Sequence, residues 1–248
     1  MARTPIGAGS ARPVADVHLW CMLALTFSTG IADAVGYLAL DKVFTGNMTG
    51  NVVILGMGAA GTTELPVVGP LLALLSFMLG AAIGGRAMRG RPPGWTRAAT
   101  YLIGLVGVLF GVAAALFATT SVHEGSVLAY VMTIGLASAM GLQAAAARRI
   151  AVKDVTTVVV TSTITGLAAD SRLGAGLEQP WMRRTGAILL IGAGAAVGAL
   201  LLSMSAWLSV AVPAVLTIAV GLAGHLLVRR HAVERVRPKS PDVRVPQK

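Results

Sequence analysis

Apolar residues gather into eight runs, lettered here A (18–40), B (43–60), C (65–86), D (97–118), E (126–147), F (155–169), G (184–205) and H (206–228). A helix needs about 20 apolar residues to cross about 30 Å of hydrocarbon. A, C, D, E, G and H meet that length. F lies between Asp154 and Asp170 and has about 15 residues, or about 22 Å as a helix. B is long enough but carries Thr45, Asn47, Thr49, Asn51 and four glycines.

Composition turns this pattern into a class. Of 248 residues, 55% are hydrophobic and only 12% charged, against about 25% charged in a soluble domain. Mean hydropathy is +0.77. An ordinary soluble enzyme domain and a disordered chain are both excluded. The expectation is an all-α integral membrane protein, with residues 1–17 as an N-terminal segment and 18–228 as one membrane domain. A basic tail, 229–248, follows, with Pro238, Pro241 and Pro246 against continued helix. Run A is longer than a signal-peptide core and lacks a small-residue cleavage site, so it reads as a retained helix. Cys21 is the single cysteine, so no internal disulfide forms.

The +10 net charge then chooses between topologies. If all eight runs cross with the N-terminus inside, 12 Lys/Arg fall inside and 8 outside. If B and F instead enter and leave on one side, 19 of the 20 share a side and Lys42 alone is left out. The positive-inside rule favours the second: six spans, both termini cytoplasmic, B opening outward and F inward. Eight spans is the alternative.

The order long, polar-short, long, long occurs twice, over 18–118 and 126–228. Thr45–Gly50 (TGNMTG) in B can be laid over Thr161–Gly166 (TSTITG) in F. In the six-span topology the halves are inverted, an arrangement that transporters with broken helices use.

The run from Gly30 to Asn51, GIADAVGYLALDKVFTGNMTGN, together with Gly141–Ala145 (GLQAA) and the Thr-rich F, resembles the YoaK-type family of small bacterial multipass membrane proteins, a domain-of-unknown-function family. The resemblance covers about residues 18–230, and VFTGNMTGN is its most specific part. It implies a bacterial inner-membrane location and no established activity or substrate. The motif positions are Asp33, Tyr37, Phe44, Thr45, Asn47, Thr49, Gly50, Asn51, Gly141, Gln143 and Thr165. Their roles rest on physics.

Asp33 is the only formally charged residue well inside a span. An ionisable group there costs about 3 kcal/mol or more and faces a bundle interior or wet cavity. It either titrates or coordinates a cation, or it caps the broken B element. In B, Thr45 and Thr49 share one helical face and Asn47 and Asn51 another. If the chain is extended, all four line one side. They offer uncharged donors and acceptors for a small polar solute or ion, or they glue helices while Gly46 and Gly50 allow close packing. Asn47-Met48-Thr49 also fits a glycosylation sequon, coincidental in this setting. Thr157, Thr161 and Thr165 form an i, i+4, i+8 stripe in F, which either lines a path or returns its hydroxyls to its own helix. Gln143, near the inner end of E, falls roughly opposite Asp33 under the repeat.

The four histidines build no metal or haem site, and no cofactor is expected. The glycines of C and G read as close packing, and the four tryptophans as interfacial anchors. Expected partners are the lipid bilayer, anionic lipid near the basic tail and a small polar solute or ion. A homo-oligomer is compatible and nucleic acid is not expected. The first function reading is a transporter or channel. A non-transporting sensor or assembly protein is the alternative. An enzyme is disfavoured because no nucleophile–base pair or paired carboxylates accompany Asp33.

Overall fold

Each apolar run contributes one helix in the computed structural model, which describes residues 11–61, 64–150 and 160–236. The helices are α1 (Ala11–Ala39), α2 (Met48–Ala59), α3 (Val68–Ala87), α4 (Arg97–Thr119), α5 (Val127–Ile150), α6 (Val160–Ala169), α7 (Trp181–Met204) and α8 (Ala206–Val236). Among the described residues, six stretches are long and apolar enough to cross a membrane: Val17–Ala39, Val68–Ala87, Arg97–Thr119, Val127–Ile150, Trp181–Met204 and Ala206–Leu226. The chain is an all-α multipass membrane protein. With 12 and 10 residues, α2 and α6 reach only about 18 and 15 Å.

Contacts between helix ends fix which ends share a face. Lys42, after α1, pairs with Glu124, between α4 and α5, at 3.0 Å. Gly69, at the start of α3, donates its amide to Asp41 beside Lys42. The opposite face collects the other ends. Arg149, near the end of α5, donates a side-chain N–H to the Arg91 carbonyl, and its own carbonyl accepts from Gly94 N at 3.3 Å. Trp95 stacks on His18 of α1 and lies against Gly224 of α8. So α1, α4 and α7 run one way and α3, α5 and α8 return. The second face carries Arg86, Arg89, Arg91, Arg97, Arg148 and Arg149. It is the basic face, and Lys42 lies on the other.

Two parallel helix pairs, α1 with α7 and α3 with α5, meet through glycines. A Cβ on Gly30 would strike the Ile191 carbonyl and the Ala195 amide, and one on Gly194 the Phe27 carbonyl. The same contacts recur in the other pair. A Cβ on Gly141 would strike the Phe77 carbonyl and the Ala81 amide, and one on Gly80 the Ser138 carbonyl. A shift of 111 positions carries Phe27 and Gly30 onto Ser138 and Gly141. A shift of 114 carries Phe77, Gly80 and Ala81 onto Ile191, Gly194 and Ala195. The third pair, α4 with α8, is antiparallel and repeats the contact within itself. Gly107 faces the Ile218 amide and Ala214 carbonyl, and Gly221 the Gly104 amide and Thr100 carbonyl, again 114 positions apart. Small residues let the backbones approach, which is how helices associate where lipid gives no hydrophobic drive.

α1 and α5 are innermost, with 72% and 56% of their most apolar windows buried, against 17% for α7. The polar side chains of α1 point inward: Thr26, Ser28, Thr29 and Asp33 are all buried. Ser28 and Thr217 share a 3.3 Å hydrogen bond between α1 and α8. Pro213 sits inside α8, a position that membrane helices tolerate.

Three expectations change. Trp20, Trp181 and Trp207 are exposed as anchors should be, but Trp95 is buried and donates to Thr100 Oγ1 at 3.0 Å. α8 includes Val236, so the first residues of the expected tail are helical. Thr45–Gly50 and Thr161–Gly166 differ in local structure, the first starting in a bend and the second helical throughout. Residues 155–159 of F, with Thr157, and most of the basic tail lie outside the described residues.

Candidate functional site

The site begins where α1 stops. The chain turns back over Leu40–Lys42, with Lys42 at φ 52°, a left-handed conformation a lysine adopts at some cost. Val43 N then donates to the Gly36 carbonyl at 3.3 Å. Gly36 has to be small, because a Cβ there would meet the Val43 carbonyl and the Thr45 methyl. Residues 43–47 are non-helical and descend along α1 before α2 begins at Met48. Asp33, six residues before the end of α1, lies about 9 Å in from that end.

Asp33 receives this descending segment. Gly46 N donates to its Oδ1 at 2.6 Å and Thr45 Oγ1 at 3.3 Å. The backbone amides of Thr45 and Asn47 are also turned toward it. Asp33 is only 8% exposed, and among the described residues no Lys, Arg or His forms an ion pair with it. Moving a carboxylate out of water costs several kcal/mol, and convergent amide donors offset part of that cost. Asp33 therefore holds the break in B.

A second polar side chain fixes the same turn. Asn51 is fully buried. Its Oδ1 accepts from Phe44 N at 2.8 Å, and its Nδ2 donates to the Phe44 carbonyl at 2.6 Å. Both backbone groups of Phe44 are thus satisfied at a point where no helix serves them. Phe44 stacks on Tyr37 with ring centroids 5.1 Å apart. Asn47 caps α2, accepting from Gly50 N at 3.5 Å.

On the inner side of the break, α5 closes the cluster. Gly46 lies against the Met140 and Thr29 methyls. Thr29 Oγ1 donates to the Leu25 carbonyl at 2.8 Å and accepts from Gln143 Nε2 at 3.1 Å. Gln143 is fully buried and its Oε1 has no partner. The only other buried side-chain polar atom without one among the described residues is Thr133 Oγ1.

Of the sequence candidates, Asp33 and Thr45 come together, Asn51 braces the same turn at Phe44, and Gln143 of α5 meets α1 one turn earlier, at Thr29. Asn47 and Thr49 are exposed at the rim, so neither the helical nor the extended reading of B holds throughout. Thr161 and Thr165 are exposed on α6, and Thr165 Oγ1 donates to the Thr161 carbonyl at 3.0 Å. α6 packs on α7, where Arg184 donates to Asp170 Oδ2 at 2.7 Å and to Gln179 Oε1 at 2.9 Å. Sequence reasoning missed Thr29. Its signal was its place one turn before Asp33, on the same helical face.

Comparison with known proteins agrees with a membrane protein. A family described as "Protein of unknown function (DUF1275)" matches residues 21–223, and the chain belongs to that family. The chain is 32% identical over 148 residues to the UPF0700 transmembrane protein YoaK of Bacillus subtilis (strain 168). The match covers 59% of this chain and 64% of that protein. No solved structure matches.

Proposed function

We propose that this member of the DUF1275 family is a membrane transporter or channel for a small polar solute or ion, built as an inverted repeat, and not an enzyme. The observation that carries the reading is the recurrence of one contact set in two oppositely directed halves. The glycine contacts of α1 with α7 return in α5 with α3, and those of α4 with α8 repeat within that pair. α1 and α5 run in opposite directions, so the halves α1–α4 and α5–α8 are inverted about the α1–α5 crossing. Each half also carries one helix too short to span, α2 and α6. Inverted halves with interrupted segments at their interface are the architecture of alternating access. The positive-inside rule makes the basic face cytoplasmic, so both termini are inside and the protein sits in a bacterial plasma membrane. The path on the outer side runs past Asn47 and Thr49 to Thr45 and Asp33. The inner side runs past Thr161 and Thr165.

The experiment is a capacitive-current screen of proteoliposomes against a panel of small polar solutes and salts. The reading expects a saturable response to a member of the panel, lost in Thr45→Val and Asn47→Ala proteins that remain folded. No response from folded protein across the panel favours the second reading, a non-transporting sensor or assembly protein. A specific observation supports that alternative. Asp33, Asn51 and Thr165 each spend hydrogen bonds on backbone groups of the protein itself.

A further inference from the structure

At the basic face, α3 and α5 end side by side. Gly84 of α3 lies against the Ala145 side chain and the Leu142 carbonyl of α5. Arg86 stands in the last turn of α3, and Arg148 and Arg149 in the last turn of α5. Arg89 and Arg91 follow in the loop to α4. That loop is tied across to α5. Arg149 donates a side-chain N–H to the Arg91 carbonyl, and its own carbonyl accepts from Gly94 N. Arg91 Nε donates to the Ala87 carbonyl at 3.0 Å, which leaves its two terminal nitrogens for another partner. All five arginines are exposed.

No acid balances them. From Leu65 to Lys153 the chain has one acidic residue, Glu124, and it pairs with Lys42 on the opposite face. Among the described residues none of the five arginines forms an ion pair. Like charges gathered without a counter-charge repel one another, and a bound anion relieves that. The same corner carries an apolar surface. Leu75, Leu79, Ile83 and Arg86 fall at i, i+4, i+8 and i+11, on one face of α3. The three apolar members are exposed, so a bilayer-facing stripe ends at a guanidinium.

From this arrangement we infer that the corner binds one anionic phospholipid in the leaflet at the basic face. Arg86, Arg89, Arg91, Arg148 and Arg149 hold its phosphate, and its acyl chains lie along Leu75, Leu79 and Ile83. The guanidinium fork suits phosphate oxygens, and basic clusters between membrane helices take anionic headgroups. A soluble polyanion would use the charge and leave the apolar stripe idle. The site lies at the face opposite the break at Asp33 and stands whether or not the chain transports.

The test is thermal unfolding of the full chain in detergent with a fixed amount of phosphatidylcholine, titrated with phosphatidylglycerol. We expect a saturable rise in the midpoint, by about 5 °C when lipid is far above its dissociation constant, and none from added phosphatidylcholine. Arg86→Gln with Arg148→Gln decides the matter, because among the described residues neither side chain is hydrogen-bonded and the fold does not lean on them. An arginine at a membrane surface is worth about fivefold in affinity, so the pair raises the half-saturating concentration about 25-fold. Arg86→Lys with Arg148→Lys keeps the charge and most of the affinity. Arg172→Gln with Arg183→Gln, which removes two charges around the start of α7, leaves the titration unchanged. Equal rises from the two lipids overturn the proposal. So does a wild-type titration in Arg86→Gln with Arg148→Gln, or an equal loss in Arg172→Gln with Arg183→Gln. Inorganic phosphate that reproduces the rise at the same concentration also overturns it, because the acyl chains then contribute nothing.

Discussion

Asn51 shows at the residue scale how a membrane protein keeps a non-helical stretch. It serves both backbone groups of the half-buried Phe44. Asn51→Ala leaves an amide and a carbonyl unpaired at about 1–3 kcal/mol each. Unfolding in detergent should show a loss of about 2–5 kcal/mol, and a loss under about 1 kcal/mol would mean that Asn51 is not the brace. Lys42→Gly is the contrasting case. It removes an exposed ion pair worth about 0–1 kcal/mol and relieves a left-handed backbone costing about 1–2 kcal/mol. Net stability should hold or rise slightly, and a marked loss would make the Glu124 bridge a true latch. Beside it, burial raises the Asp41 carboxyl above its ordinary value, against the Gly69 amide, with Glu124 adding to the rise and Lys42 opposing it. The folded state thus binds this proton more tightly than the unfolded chain does. That contribution is full below the ordinary carboxylate value of about 3.9 and is lost as pH rises through the folded one. Asp41→Asn should flatten this part of the pH–stability curve, and an unchanged curve would deny Asp41 the role. Asp33 was legible in the sequence because a lone charge in an apolar run has to be explained. The Gln143–Thr29 bond was not, because it joins residues 114 positions apart through a crossing no local pattern encodes.

The elements were legible almost residue by residue, because length and hydropathy alone decide what can span a bilayer. Which glycines matter was not. Gly192 and Gly194 read alike in the sequence, yet a Cβ on Gly192 meets nothing within 4 Å while one on Gly194 collides with α1. Gly194→Leu and Gly80→Leu should each separate a parallel helix pair and cost most of the folded protein, by about 3 kcal/mol or more. Gly192→Leu should leave yield and melting unchanged. Equal effects at 192 and 194 would contradict the packing described for α1 and α7. The register of the two halves was equally hidden. The Thr–Gly likeness of B and F suggested a shift of 116, whereas the glycine contacts follow shifts of 111 and 114, with the difference absorbed in the connecting segments.

The whole molecule depends on charge as much as on packing. Six spans and one basic face were legible because Lys and Arg cluster at the same helix ends. The approach of the broken segment to α5, where Gly46 lies by Met140, was not, because it arises only when α1 and α5 pack together. The central claim is that the halves are inverted and that each opens its short segment to its own side. Single cysteines at Asn47 and Thr161, in a Cys21→Ala background, test it most directly with a membrane-impermeant maleimide. The account expects Asn47→Cys to label in intact cells and Thr161→Cys to label only in inside-out vesicles. Labelling of both from the same side would contradict the inverted arrangement and the transport reading built on it.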